Sequence, residues 1–150
     1  MHLSDLIAPD RVIVGLRTGD KTQLLSELAR QAAARISVEA QAILAALSAR
    51  ERLGSTGFGR GFALPHARVN GVEELFGLFV RLAQPIDFAA IDGQPVDLVF
   101  LLLIPPGAGN DHVGALAAVA RRMRDEGTLQ KVRRATTAPD LYRVLSYYPP

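Results

Sequence analysis

Val96-Asp97-Leu98-Val99-Phe100-Leu101-Leu102-Leu103-Ile104, stopped at once by Pro105-Pro106-Gly107, is the stretch on which the fold turns. The run is almost wholly apolar and far too short to span a membrane, so it reads as a strand with both faces covered, at the centre of a sheet. Leu75–Leu82 is the second strong strand. Val12, Val14 and Leu16 alternate and predict a shorter, half-buried strand over Arg11–Leu16. Helices are expected on both sides of these strands in the chain. Asp20 stands three residues before Gln23, in the manner of a capping box, and Leu24, Leu25, Leu28, Ala29 and Ala32 recur at helical spacing. Ser37 is positioned to cap a second helix bearing Ile43, Leu44 and Leu47, with Arg50 and Arg52 at its end and a stop near Leu53 and Gly54.

Beyond the central strand, Asn110 or Asp111 can cap a third helix with a buried stripe of Val113, Leu116, Ala117, Ala120 and Met123, closed by Gly127. Thr128 begins a short helix. Thr137 and Asp140 resemble a capping box before Leu141, Val144 and Leu145. Helices before and after the main strands argue for an α/β architecture. With 150 residues, one domain spanning 1–150 is expected, large enough to bury roughly two-thirds of its unfolded surface.

Composition excludes several classes. There is no cysteine, so disulfides, zinc–thiolate sites and thiol chemistry are ruled out. The isoelectric point of about 9.4 reflects many arginines and only two lysines, yet the net charge is +2, which does not imply nucleic-acid binding. Arg121, Arg122, Arg124, Lys131, Arg133 and Arg134 cluster where helices are expected, interleaved with Asp125 and Glu126; a solvated face is the expectation, a docking patch the alternative. Met1–Pro9 lacks a targeting pattern, so a cytoplasmic protein without membrane insertion is expected.

Between the second helix and the strands lies Gly54-Ser55-Thr56-Gly57-Phe58-Gly59-Arg60-Gly61, too glycine-rich for a helix and read as a turn-rich loop. Phe62, Leu64 and Pro65 then suggest a short strand that stops as His66 arrives. Such loops often carry function. Neutral imidazole is nucleophilic near pH 7, and a hydrogen bond to one ring nitrogen leaves the other free to attack phosphorus. His112 falls at a helix N-terminus, beside unpaired N–H groups that suit an anion; it is either a neutral hydrogen-bond donor to a phosphoryl oxygen or a polar neighbour of the cap. His2 is terminal and is assigned no role. Neither nucleotide-binding glycine pattern fits the loop, Ser55 does not stand in G-x-S-x-G, and Asp111 beside His112 is too little for a metal site. No cofactor or metal is expected.

The continuous stretch Arg50-Glu51-Arg52-Leu53-Gly54-Ser55-Thr56-Gly57-Phe58-Gly59-Arg60-Gly61-Phe62-Ala63-Leu64-Pro65-His66 resembles the phosphorylation-site region of enzyme IIA domains of the bacterial phosphotransferase system, fructose–mannitol class. The resemblance continues through Pro85-Ile86-Asp87-Phe88, Asp92-Gly93-Gln94-Pro95-Val96-Asp97 and His112, and is strongest to the free-standing, nitrogen-related branch. It implies a single mixed β-sheet flanked by helices on both faces, a phosphohistidine at His66, and Arg50 and His112 in the same pocket. Arg50 would neutralise a phosphoryl group of about two negative charges, and the Gly54–Gly59 amides, Gly57 among them, with the Ser55 and Thr56 hydroxyls, would bond its oxygens. Those two hydroxyls could equally satisfy turn backbone. Where the family has glycine after the histidine, Ala67 stands; if that position needs φ > 0, alanine is strained by roughly 1 kcal/mol or more.

The nitrogen-related branch further implies a phosphotransferase component of mainly regulatory output. Its phosphoryl donor would be a histidine-containing phosphocarrier protein, and its targets would be bound in one phosphorylation state. A chain ending at Tyr147-Tyr148-Pro149-Pro150, with no further domain, points the same way. The alternatives are a sugar-specific enzyme IIA passing phosphate to a permease-linked enzyme IIB, a binding-type regulatory domain that is not phosphorylated, and a small nucleotide- or metal-binding module.

Overall fold

The computed structural model describes residues 1–147; the last three residues of the terminal Tyr147–Pro150 segment lie outside the described residues. One mixed sheet, with helices on both faces, organises the chain. In sequence order it runs β1 (Val12–Leu16), α1 (Lys21–Ala33), α2 (Ala40–Arg52), β2 (Gly57–Gly59), β3 (Phe62–Ala63), β4 (His66–Arg68), β5 (Phe76–Ile86), β6 (Val96–Ile104), α3 (Asp111–Met123), α4 (Glu126–Arg134) and α5 (Ala138–Ser146). The strand order is β1-β5-β6-β3-β2, with β4 also paired to β6. β5 and β6 are antiparallel, whereas β1 lies parallel to β5 and both β3 and β4 lie parallel to β6.

β6 is the central strand, and its alternation divides the core in two. Val99, Leu101 and Leu103 pack with Leu24, Leu28, Ile43 and Leu47 of α1 and α2. Leu98, Phe100, Leu102 and Ile104 pack on the other face with Val119, Met123, Leu129, Val132, Leu141 and Leu145 of α3–α5, and with Leu3 and Leu6 from the N-terminal turns. A strand buried on both faces has no polar side to expose, which is why its sequence is a continuous apolar run.

Several element boundaries differ from the sequence expectation, each for a local reason. α2 starts at Ala40 rather than after Ser37, because Val38 N–H donates to the Ile36 carbonyl in a turn that keeps this segment out of the helix. Asp20 does cap α1, accepting from Gln23 N–H at 2.8 Å, while Gln23 reaches back to Gly19 N–H at 2.8 Å. α3 is rotated from the expected stripe: Ala115, Ala118, Val119 and Met123 face the core and Val113 is 56% exposed. Gly127 lies inside α4, whose N-cap is Asp125, accepting from Thr128 N–H at 3.0 Å. Thr137 caps α5 through Asp140 N–H at 3.2 Å, as its spacing predicted.

Two short strands were not foreseen. The centre of the glycine stretch pairs as β2, antiparallel to β3, and His66 opens a strand rather than ending one. The basic cluster is partly structural: Arg122 donates to Thr128 Oγ1 at 2.6 Å and to the Val144 carbonyl at 2.8 Å, and Arg133 pairs with Asp97 at 2.9 Å.

Leu101 is completely buried between β5, β3 and the helices α1 and α2. Leu101→Ala is expected to cost about 2–5 kcal/mol of stability. In urea titration this appears as a lower midpoint with an unchanged m-value.

Candidate functional site

The site begins with the register of the chain on β6. Phe62 faces Leu98 and Ala63 faces Val99; then, beyond Leu64 and Pro65, His66 faces Leu102, Ala67 Leu103 and Arg68 Ile104. The offset between the two strands is the same before and after the proline, so β3 and β4 are one strand interrupted by Leu64-Pro65. Pro65 cannot donate a ladder hydrogen bond, but its carbonyl still accepts from Leu102 N–H at 3.0 Å. Ala67 turns into the core with α1 and α2, so by the two-residue period of a strand His66 and Arg68 face the side of α3. Ala67 has no positive φ and is buried without strain, so alanine fits where the family carries glycine.

His66 is half-buried, and its Nδ1 lies 2.7 Å from the Leu64 carbonyl. A carbonyl only accepts, so Nδ1 carries the proton and the Nε2 lone pair is left free. Burial holds the imidazole pKa below its usual 6.5; the Leu64 carbonyl opposes this, while the charges of Arg50 and His112 lower it further and Glu51 raises it. Arg50, Glu51 and His112 are thus each close enough to act electrostatically on His66.

Arg50 lies in the last turn of α2 and donates from Nη1 to the Gly54 carbonyl at 2.9 Å, bracing the start of the glycine loop. Glu51, the next residue, is an anchor that sequence reading missed. Its carboxylate accepts from Thr56 N–H at 3.1 Å and from the Thr56 hydroxyl, and it pairs with Lys21 at 2.9 Å. Lys21 in turn sits 4.4 Å over the Phe88 ring. The available signal was the acidic residue between Arg50 and Arg52 at a helix C-terminus, where the dipole disfavours a negative charge without a partner.

The remaining loop residues are largely committed to the protein itself. Thr56 is fully buried and its hydroxyl serves Glu51. Ser55 Oγ donates to the Phe88 carbonyl and accepts from Gly57 N–H, each at 3.0 Å. Gly57 is there for closeness, since a Cβ would stand 2.9 Å from the Ala90 Cα. The Gly54 N–H donates to the Glu51 carbonyl, whereas the Ser55 N–H has no partner among the described residues.

His112 occupies the first turn of α3, half-buried, with Nδ1 2.9 Å from the Gly109 carbonyl and 3.2 Å from Arg68 Nη2. Arg60 points elsewhere, pairing with Glu126 and donating to the Arg124 carbonyl at 2.7 Å. Among the described residues no group of His, Asp and Glu could hold a metal ion, and no helix is long and apolar enough to cross a membrane.

A mixed sheet covered by helices on both faces, with a histidine at a strand start beside a glycine loop, defines the class of phosphotransferase-system enzyme IIA domains. The chain belongs to the family described as "Phosphoenolpyruvate-dependent sugar phosphotransferase system, EIIA 2", which matches residues 5–148. Within that family it is similar to nitrogen regulatory proteins, among other members. It is 46% identical to the nitrogen regulatory protein of Bradyrhizobium diazoefficiens over 149 residues, covering 99% of this chain and 97% of that one. It is 37% identical to the nitrogen regulatory protein of Pseudomonas aeruginosa over 146 residues, covering 97% and 95%. Its structure superposes on nitrogen regulatory protein IIA-Ntr from Neisseria meningitidis with a TM-score of 0.90 at 30% identity, covering 95% of this chain and 98% of that one. Mannitol IIA from Escherichia coli, at 17% identity and a TM-score of 0.77, shares the fold.

The lowered pKa keeps the nucleophilic, neutral form of His66 present as pH falls below 6.5. An NMR titration of the His66 ring is expected to show a midpoint below 6.5 in the wild type. Arg50→Gln removes a cation that opposes protonation and should move that midpoint upward.

Proposed function

We propose that His66 accepts a phosphoryl group from a histidine-containing phosphocarrier protein, and that the phosphorylated and unmodified forms bind different target proteins in the cytoplasm. The observation that carries this reading is the 2.7 Å bond from His66 Nδ1–H to the Leu64 carbonyl, which frees Nε2 at the edge of a braced glycine loop. The Nε2 lone pair forms the new N–P bond as the bond between phosphorus and the carrier's ring nitrogen breaks, and that bonding pair returns to the carrier. The His66 ring, still protonated at Nδ1, becomes positively charged, and the Leu64 carbonyl stabilises it. No proton has to leave during transfer.

The transferring group carries about two negative charges. Arg50 has guanidinium hydrogens beyond the one given to Gly54, and His112 can present a ring N–H at the other side. Ser55 contributes through its backbone N–H, which has no partner among the described residues, while its hydroxyl and that of Thr56 hold the loop in shape. Gly57 lets β2 lie against Ala90, which fixes the loop's second half. In-place donors of this kind stabilise charge as it develops, without reorganisation.

Incubation with labelled phosphoenolpyruvate, the general first enzyme and a histidine carrier protein should produce an acid-labile, base-stable phosphoprotein. His66→Ala is expected to abolish the label, and Arg50→Gln or His112→Ala to slow transfer by about 10²-fold with the fold intact. Residual label on His66→Ala would overturn the assignment of the acceptor.

Regulation follows from charge, because a dianion introduced beside Arg50 and Arg52 offsets the positive charge of that face. A difference of about 1.4 kcal/mol in interface energy gives a tenfold switch in binding. Pull-downs with wild-type, His66→Ala and enzymatically phosphorylated protein are expected to recover shared partners with the first two that are lost with the third. Identical partners for all three would leave a relay without regulation.

A further inference from the structure

Two groups compete for one nitrogen of His112. Its Nδ1 is 2.9 Å from the Gly109 carbonyl, which demands a proton on that nitrogen, and 3.2 Å from Arg68 Nη2, which demands a lone pair. A neutral imidazole satisfies one of them. The decision fixes whether Nε2, at the far side of the ring, is a donor or an acceptor.

Arg68 resolves the competition. Its Nη2 already donates to the Gly109 carbonyl at 3.0 Å, so that oxygen is satisfied without the imidazole. Its Nη1 donates to the Pro105 and Pro106 carbonyls at 3.3 and 3.1 Å. Guanidinium is permanently charged and has no lone pair to offer. If His112 Nδ1 accepts, all four Nη hydrogens of Arg68 have partners. If Nδ1 carries a proton, that proton faces a cation and one guanidinium hydrogen loses its partner.

We infer that Arg68 is a positioning residue for phosphoryl transfer: it clamps the Pro105–Gly109 turn onto β4 and holds His112 as the tautomer protonated at Nε2, the form that can donate to a phosphoryl oxygen. This rests on the reading of His112 as such a donor. The placement has a structural logic, because Arg68 and His66 lie two residues apart on one short strand and face the same side. The strand that sets the nucleophile therefore also sets the orientation of the group opposite it. Arg68 acts through His112 and is spent on the loop, so its role differs from that of Arg50.

The test separates the ring from the rate. Long-range proton–nitrogen spectra of the uniformly labelled protein, at a pH where imidazoles are neutral, report which ring nitrogen of each histidine is protonated. Wild-type His112 is expected to be protonated at Nε2. Arg68→Met should move it toward the Nδ1-protonated form, now free to bond Gly109, while His66 stays protonated at Nδ1. Phosphoryl transfer to Arg68→Met should fall by about 10- to 10²-fold, as for a displaced orienting group. Arg68→Lys, which keeps the charge and a donor, should restore part of the Nε2-protonated population. In a His112→Ala background Arg68→Met should add little further loss, since the two act as a unit.

Wild-type His112 protonated at Nδ1, or a tautomer unmoved by Arg68→Met, would overturn the inference. A tautomer that moves while transfer is unaffected would uphold Arg68's hold on the ring and overturn instead the role of His112 as donor. A full further loss in the His112→Ala background would overturn action through His112 and show that Arg68 serves the phosphoryl group directly.

Discussion

The site depends on one constraint, the unbroken parallel register of the 62–68 segment along β6. Leu98 N–H and Leu102 N–H donate to the Gly61 and Pro65 carbonyls at 3.0 Å, one before and one within the interruption at Leu64-Pro65. Between those fixed points Leu64 donates its own N–H across to Thr56 at 3.0 Å and its carbonyl receives the imidazole of His66. The proline thus does more than end a strand. By lacking a hydrogen it lets the chain leave the ladder for two residues, and by keeping its carbonyl in place it lets the chain return without a slip. A one-residue slip would exchange His66 and Arg68 for Ala67 on the α3 side. His66 and Arg68 would then both be turned into the core.

Around this strand the loop is held from behind. Glu51 is nearly buried, with 6% of its side chain exposed, and its charge is met by Lys21, Thr56 N–H and the Thr56 hydroxyl. Removing one partner from such a set leaves an uncompensated charge, which costs far more than the set contributes when intact. The arrangement joins the N-terminus of α1, the C-terminus of α2 and the glycine loop through one carboxylate. Ser55 and Ile91 tie the same loop to the segment after β5, by bonds to the Phe88 carbonyl at 3.0 Å and to the Gly57 carbonyl at 2.9 Å. Glycine supplies closeness at Gly57, whereas at Gly54, with φ of 150°, it supplies backbone freedom just past the helix.

Sequence reading was strongest where hydrophobicity has a clear period. The central strand, the first helix and the capped fifth helix were legible because their apolar residues and caps leave little choice. Short strands were not: β2 and β4 have three residues each, and their pairing is set by partners far along the chain. The face of α3 was misread because alanines recur on several sides, and only packing of Val119 and Met123 beneath the sheet selects one. His66 stands out in the sequence by its motif, and the structure places it half-buried beside the glycine loop. The hydroxyls of Ser55 and Thr56 were not legible, because their use is decided by Glu51 and by Phe88, thirty-three residues beyond Ser55. Arg60 stands in the glycine stretch six residues before His66, yet Glu126 draws it toward α4, which no local pattern announces.

The bracing bears on how a phosphoryl group at His66 could be read by another protein. A conformational switch needs an element with two arrangements of similar energy, and a ligand that favours one of them. Here the imidazole is fixed by Leu64, the loop by Glu51, Ser55 and Ile91, and the α3 N-terminus by Arg68. None of these groups must let go for Nε2 to take a phosphoryl group, and Arg50, the cation proposed to meet it, is already tied at one nitrogen to Gly54. A braced site of this kind changes its charge far more than its shape. In the proposed regulatory role the message is then electrostatic; Leu53 and Val113, 85% and 56% exposed, adjoin the glycine loop and His112 in sequence. A partner that covers His66 together with such apolar side chains would desolvate the phosphoryl group, and a charge without a partner in such an interface costs more than the apolar contact supplies.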